Sequence, residues 1–332
     1  MAIVPPKVLL IRFSSIGDIV LTTPVIRALH QQLGAEVHLL TKKSFGGVLA
    51  ANPYVQRTWT IEKKVGEVLP ALRREGFTAI IDLHRNLRSL QVKLGLFGTK
   101  AYSFDKLNRE KWLLTRWKVN RMPDVHIVDR YLAAAAPLGV TNDGQGLDHF
   151  IPPSDEVDPA QWLPNGAAGP YVAFVTGAAH ATKRLPREQI IAICRELPMP
   201  ILLLGGPDEQ ASGDEIARAA GAHVVNTAGR LRLQQSASLV RQAACVLTHD
   251  TGLMHMAAAF RRPIVSVWGN TVPAFGMYPY YPAGMDRNVT MEVQGLPCRP
   301  CSKIGYHQCP KGHFRCMMEQ DVPAIIQACA NT

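Results

Sequence analysis

Residues 12–29 read RFSSIGDIVLTTPVIRAL and directly follow VLLI at 8–11. Four unbroken apolar residues suit a strand buried on both faces. Ile19, Val20, Val25, Ile26 and Leu29 then recur on one helical face. Between strand and helix lies Ser14-Ser15-Ile16-Gly17-Asp18, a loop expected at the carboxyl end of a strand, where open parallel sheets bind ligands. Gly17 would let the backbone turn tightly. Asp18 would either cap the helix by accepting from its free amides or serve as an acid–base group. Ser14 and Ser15 would satisfy the loop backbone or face a ligand.

Working outward, 36–40 and 79–83 read as further strands, with a helical stretch at 66–75 between them. Alternation of this kind predicts a parallel sheet. The strand ending at Leu83 runs into His84-Arg85-Asn86-Leu87-Arg88, a strand-end loop that is either solvated or offers cations to a ligand. Residues 106–121, KLNREKWLLTRWKVNR, hold six cations and one acid with Trp112, Leu113, Leu114 and Trp117 interleaved. That pattern predicts a basic amphipathic helix, lying on an anionic membrane or acceptor or burying one stripe in the core. A further helix is expected at 126–138.

Five prolines fall at 152, 153, 159, 164 and 170, which resists continuous helix or central strand. A first domain is therefore placed at 1–153, a proline-rich linker at 154–170 and a second domain at 171–332. The alternation restarts there, with strands expected at 171–176, 200–204, 223–227, 245–248 and 263–268. Their carboxyl ends carry 177–183, Gly205-Gly206-Pro207-Asp208-Glu209 and His249-Asp250-Thr251-Gly252. Thr251 and Gly252 open a helix, whose free amides and dipole favour phosphate.

The 332 residues are 47% hydrophobic and 19% charged, a globular composition long enough for two cores. No apolar run approaches the roughly 18 residues of a membrane span. The start, MAIVPPKVLLIRF, lacks the layout of a signal peptide, so a cytoplasmic protein is expected. The net charge of +10 is uneven: 1–153 carry 21 Lys and Arg against 12 Asp and Glu, whereas 154–332 carry 15 against 14. Such asymmetry suits solubility alone or an anionic partner of the first domain.

Four of seven cysteines cluster as Cys298-x2-Cys301-x7-Cys309-x6-Cys316 within an irregular insertion. Thiols so grouped suit a structural tetrahedral zinc, an iron–sulfur cluster, or no metal at all. Cys194, Cys245 and Cys329 sit in apolar patterns and read as core residues.

The opening RFSSIGDIV with Thr22, Thr23 and Pro24, joined to LTHDTGLMHMAAA at 247–259, resembles the two signatures of glycosyltransferase family 9, the bacterial lipopolysaccharide heptosyltransferases. The resemblance covers the chain to about Trp268. It implies an α/β protein of two Rossmann-like doubly wound domains facing across a cleft, the GT-B architecture, with acceptor on the first domain and nucleotide-sugar donor on the second. By position it makes Asp18 the catalytic base and Lys183 the contact to donor phosphate. Glu209 would hold the ribose, and Asp250, Thr251, Gly252 and His255 would form the donor loop. Ser14, Ser15, Gly17, Arg85, Arg88, Arg116 and Lys118 are expected around the acceptor. The implied reaction is inverting transfer of a sugar, heptose by family, from an ADP-sugar to an anionic lipopolysaccharide core, with no cofactor required. Contact with the cytoplasmic face of the inner membrane is compatible with that acceptor.

Other classes are less well supplied. No G-x-G-x-x-G follows either first strand and no P-loop is present, which disfavours dinucleotide and P-loop enzymes. The chain lacks an Asp-x-Asp pair for a donor-holding divalent ion. Nucleotide-sugar 2-epimerases share the architecture but lack the Ser-Ser-x-Gly-Asp opening. A zinc-bearing nucleic-acid binder is the non-enzyme alternative. Its cations lie outside the cysteine cluster and no nucleic-acid motif appears, so no nucleic-acid partner is expected.

Overall fold

The computed structural model describes residues 5–166 and 169–331. The first four residues of the chain start, Ala167 and Ala168 of the proline-rich stretch, and Thr332 lie outside the described residues. The chain divides into two compact units, Met1–Leu107 with Val125–Phe150, and Asn108–Asp124 with Ile151–Thr332.

The first unit is built on a five-stranded parallel sheet. Its strands are β1 (Lys7–Ile11), β2 (Glu36–Lys42), β3 (Val55–Ile61), β4 (Ala79–Asp82) and β5 (Lys100–Ser103), in the order β3-β2-β1-β4-β5. Central β1 is apolar because both faces are covered: Val8, Leu9, Leu10 and Ile11 are at most 1% exposed. Ile11 pairs in register with Leu40 and Asp82, so the loops after β1 and β4 emerge at one edge. The expected single helix after β1 is two, Ile16–Val20 and Thr23–Leu33. Gly17 is buried inside the first of these and is not among the glycines with positive φ. Its expected role in a tight turn is thereby corrected.

The second unit carries a six-stranded parallel sheet: β6 (Val172–Val175), β7 (Ile201–Leu204), β8 (Val224–Asn226), β9 (Cys245–His249), β10 (Ile264–Trp268) and β11 (Asn288–Glu292), in the order β11-β10-β9-β6-β7-β8. Val175 pairs with Leu204 and with Thr248, and His249 with Val267. The segments after β6, β7, β9 and β10 therefore leave the sheet at the same end. Helices Arg187–Glu196 and Val322–Ala330 contribute Ile190, Ile193, Cys194, Ile325 and Cys329 to the core beneath. Two doubly wound parallel-sheet units are the GT-B class of fold.

Two expectations change here. The proline-rich stretch packs as part of the second unit: the Glu156 carboxylate accepts from Ser238 Oγ at 2.8 Å and Arg241 at 2.7 Å, and Asp155 pairs with Arg232 at 2.6 Å. The basic helix, Asn108–Trp117, also belongs to the second unit. Because 108–124 hold five cations and two acids, the surplus of the first unit drops from +9 to +6 and that of the second rises to +4. The charge asymmetry read from the linear chain largely disappears. No described helix is long and apolar enough to cross a membrane.

Candidate active sites

Asp18 is held from three directions at the carboxyl edge of the first sheet. Its Oδ1 meets Arg12 Nη2 at 2.5 Å, and its Oδ2 accepts from the Ser15 amide at 3.1 Å and the Ser15 hydroxyl at 2.8 Å. Ser15 is the N-cap of the short helix and Asp18 its third residue, so the carboxylate supports the cap rather than being it. Burial alone would raise the carboxyl, but the Arg12 charge and the Ser15 hydrogen bonds prevail and hold it below 3.8. A carboxylate has about four lone-pair directions. Three donors leave one unused, and the side chain is 16% exposed.

Arg12 is itself fixed. Its Nε donates to Ser14 O at 2.8 Å, and Nη1 donates to the buried Tyr131 hydroxyl at 2.9 Å and to Leu83 O. Nothing in the local sequence assigns Arg12 this work. It joins the β1 loop to the β4 loop, where Asp82 Oδ1 accepts the amides of His84 and Arg85 at 3.0 and 2.7 Å. Burial, reinforced by Arg12 and Lys106, lowers His84 to about 4, so its ring is neutral near pH 7. Arg85 adopts φ +49° and turns its guanidinium to Phe104 O and Asp105, each at 3.2 Å. Arg88 is exposed on helix Leu87–Gly95.

In the second unit the strand ends gather Lys183, Glu209, Asp250, Thr251 and Gly252. Lys183 Nζ donates to Asp250 Oδ2 at 2.6 Å, and the same oxygen accepts from Thr271 Oγ1 at 3.1 Å. Thr251 is the N-cap of helix Gly252–Ala259 but makes no side-chain capping bond; its hydroxyl lies 3.2 Å from Thr248 Oγ1. The amides at that helix start thus lack a side-chain cap, as an anion site needs. Glu209 accepts from the Gly206 amide at 2.9 Å and pairs with Arg184 at 3.0 Å. A Cβ on Gly205 would fall 2.8 Å from Glu209 Cβ, so that position needs glycine, and one on Gly177 would fall 2.9 Å from Glu209 Cδ and displace the carboxylate. His255 is 2% exposed, on the buried side of its helix. His249 beneath the site accepts the Leu185 amide at 3.0 Å. Burial, then Arg184, lowers it to about 4, so it too stays neutral.

The cysteine loop buttresses this region. Thr182, next to Lys183, donates its amide to Tyr306 O at 3.2 Å, and its hydroxyl accepts from the Tyr306 amide at 2.8 Å. Arg299 bonds Gly269 O at 2.5 Å and Thr271 O at 2.9 Å and pairs with Glu292 at 2.5 Å. Lys118, expected at the acceptor, instead donates to the carbonyls of Thr115, Cys298 and Pro300 at 2.7, 3.1 and 2.6 Å. It is a brace of the second unit. Arg116 is exposed one residue before the end of the same helix.

Burial and the neighbouring cysteines raise the thiols of Cys301 and Cys316, the latter to about 12. Cys298 Sγ lies 3.7 Å from His313 Nε2. As placed, no set of three or more His, Cys, Asp or Glu among the described residues converges to hold a metal. Thr271, Arg184, Arg299 and the Thr182–Tyr306 pair were missed from sequence. The strand-end segments 177–183, 205–209 and 249–252 signal that end of the sheet but not these individual partners.

The family model described as Glycosyltransferase family 9 (heptosyltransferase) matches residues 65–308. The chain is 25% identical over 323 residues to lipopolysaccharide heptosyltransferase 1 of Pseudomonas aeruginosa, covering 90% of this chain and 86% of that protein. To lipopolysaccharide heptosyltransferase 2 of Escherichia coli K12 it is 27% identical over 201 residues, 56% of this chain and 54% of that one, so this match spans about half of the relative. Among solved structures, a family 9 glycosyltransferase from Veillonella parvula superposes with TM-score 0.77 at 19% identity, over 99% of this chain and 97% of that one. E. coli heptosyltransferase WaaC with ADP gives 0.67 at 20%, over 97% and 98%. The iron-containing dodecameric glycosyltransferase TibC from enterotoxigenic E. coli gives 0.59 at 15%, over 98% and 79%. At these identities the structural likenesses speak for the fold.

Proposed function

The chain belongs to glycosyltransferase family 9, and from that premise we propose that it moves a heptose from an ADP-linked donor to a phosphorylated lipopolysaccharide core, inverting the anomeric carbon. The observation that carries the reading is the gathering of Lys183, Asp250, Thr271 and a helix start without a side-chain cap at neighbouring strand ends. A nucleoside diphosphate fits these groups without a divalent ion. The heptosyltransferase relatives and the ADP complex of WaaC favour ADP-heptose over other donors.

In this mechanism the acceptor hydroxyl donates to the unused lone pair of Asp18 and loses its proton there as its oxygen bonds to the anomeric carbon. The bond from that carbon to the diphosphate breaks on the opposite face, and ADP leaves with the electron pair. Lys183 and the amides following Thr251 stabilise the departing charge, while Glu209 binds ribose hydroxyls. Arg12 keeps Asp18 ionised at neutral pH and aims it. Incubating the protein with ADP-heptose and a heptose-deficient core should add one heptose mass to the core and release ADP. An epimerase would alter the sugar with no acceptor present, and that result would replace this reading.

The cysteine loop is proposed as a structural metal site, with zinc suited by its thiols and iron as the alternative that TibC suggests. The grouping of Cys298, Cys301, Cys309 and Cys316 within 19 residues of sequence supports it. No catalytic step passes through it. About one metal per chain should be found by elemental analysis and lost in Cys298→Ser/Cys301→Ser. Because Tyr306 holds Thr182 beside Lys183, that variant should bind ADP several-fold more weakly; metal-free wild-type protein with full ADP affinity would remove the proposal.

A further inference from the structure

Helix Leu87–Gly95 presents its apolar side to water. Leu87 is 79% exposed, Leu90 46%, Leu94 65%, and Phe97 just past the helix 94%. Ser89 and Val92 are the residues it buries. Spacings of three and four put the leucines in one stripe. Single exposed apolar side chains are ordinary, but a contiguous patch marks an interaction surface.

The surroundings indicate what covers it. Residues 83–104 contain Arg85, Arg88, Lys93 and Lys100 and no Asp or Glu. Arg73 adds a cation at the far end, donating to Gly95 O at 2.9 Å. Arg85 pairs with Asp105 at 3.2 Å and Lys93 with Asp82 at 3.0 Å, while Arg73, Arg88 and Lys100 have no acid partner among the described residues. An apolar stripe edged by these three cations complements an anionic bilayer surface, where apolar groups enter the headgroup–acyl boundary and cations meet lipid phosphates. A soluble protein partner would be expected to need acids to match these cations, and a second copy would bring like charge against like.

Position supports the same occupant. The helix follows β4 by a four-residue loop, residues 83–86, whose first carbonyl, Leu83 O, accepts from Arg12, the partner of Asp18. A bilayer on this stripe would lie close to the groups proposed to receive a lipid-anchored acceptor. The basic helix Asn108–Trp117 also exposes Trp112 and Trp117, at 55% and 63%, but it belongs to the second unit, and the adjoining Lys118 is bonded to backbone carbonyls of the cysteine loop.

We propose that Leu87, Leu90, Leu94 and Phe97, with their flanking cations, form a membrane-docking surface for anionic lipid. It rests on the transferase reading only for its purpose; the docking is tested without donor or acceptor. The full chain and a Leu90→Ser/Leu94→Ser/Phe97→Ser variant are sedimented with vesicles of phosphatidylglycerol and phosphatidylethanolamine, or of phosphatidylcholine alone, at low and high salt. Wild type should partition roughly tenfold more strongly onto the anionic vesicles, less so as salt rises. The variant should lose about tenfold of that binding while keeping wild-type ADP affinity, which reports an intact second unit, and an unchanged melting profile. Equal sedimentation of the two proteins would overturn the proposal. So would a wild-type dimer that the variant converts to monomer, because a second copy would then cover the stripe. A failed transfer assay would leave the vesicle result standing, and the reverse holds as well.

Discussion

The two units use one architectural device with opposite polarity. In the first, a carboxylate at the sheet edge is the working group and a fixed arginine supports it: Asp18 with Arg12 at 2.5 Å. In the second, a lysine is the working group and an aspartate supports it: Lys183 with Asp250 at 2.6 Å. Both pairs sit at carboxyl strand ends, so the fold alone distinguishes nothing. The difference lies in which charge the surroundings leave unfinished. Asp18 has one lone-pair direction unused, whereas Lys183 lies among amides and hydroxyls suited to an incoming anion. One arrangement takes up a proton and the other receives a diphosphate.

The largest effect should come from removing the open carboxylate. Asp18→Asn should lower kcat by about 100-fold or more, the scale of a lost general base, measured as heptose transfer at saturating ADP-heptose. Near wild-type turnover would return Asp18 to its supporting role at the helix cap. A smaller effect separates the working group from its support. With Arg12 removed, burial would dominate and raise the Asp18 carboxyl, so Arg12→Gln should move the acid limb of kcat/KM to higher pH. In wild type that limb should lie below 3.8, with no fall as pH drops from about 7 to 5. Arg12→Lys, which keeps the charge, should leave the limb nearer its wild-type place; equal profiles for all three proteins would show that the pair does not tune the base.

The smallest effect concerns exposed cations. Arg85→Ala/Arg88→Ala should raise the acceptor KM two- to threefold at low salt, with the difference fading as exposed charges are screened beyond about 10 Å at 0.1 M. ADP affinity should not change. Lys118→Ala would not report on exposed charge, since it would strip three carbonyls of their donor.

What was legible in the sequence follows burial. β1, β4, β6, β7, β9 and β10 are interior strands, and their unbroken apolar runs were read close to their observed bounds. β3, β5 and β11 were not read, and each is a sheet edge. Half their residues face water, so VQRTWTI, KAYS and NVTME carry polar residues that hide the strand. The helix 87–95 is hidden for a related reason: its leucines face outward, the reverse of the amphipathic pattern of a helix packed on a core. At the sites, glycine or helix-start signals flank Asp18, Glu209 and Asp250, whereas Lys183 was assigned by the family resemblance. Thr271, Arg299 and Tyr306 act from 21 to 124 residues away from their partners, a distance no local pattern spans. The placement of 108–124 in the second unit is of the same kind, and the linear charge count misled for that reason.

The most direct measurement is a side-by-side calorimetric titration of ADP into wild type, Asp18→Asn and Lys183→Ala, without added divalent metal. If the units divide the work as proposed, Asp18→Asn binds ADP as wild type does and Lys183→Ala binds at least about tenfold more weakly, the loss of one charge-assisted phosphate contact. Unchanged binding by Lys183→Ala, or equal weakening by both variants, would contradict the division of labour.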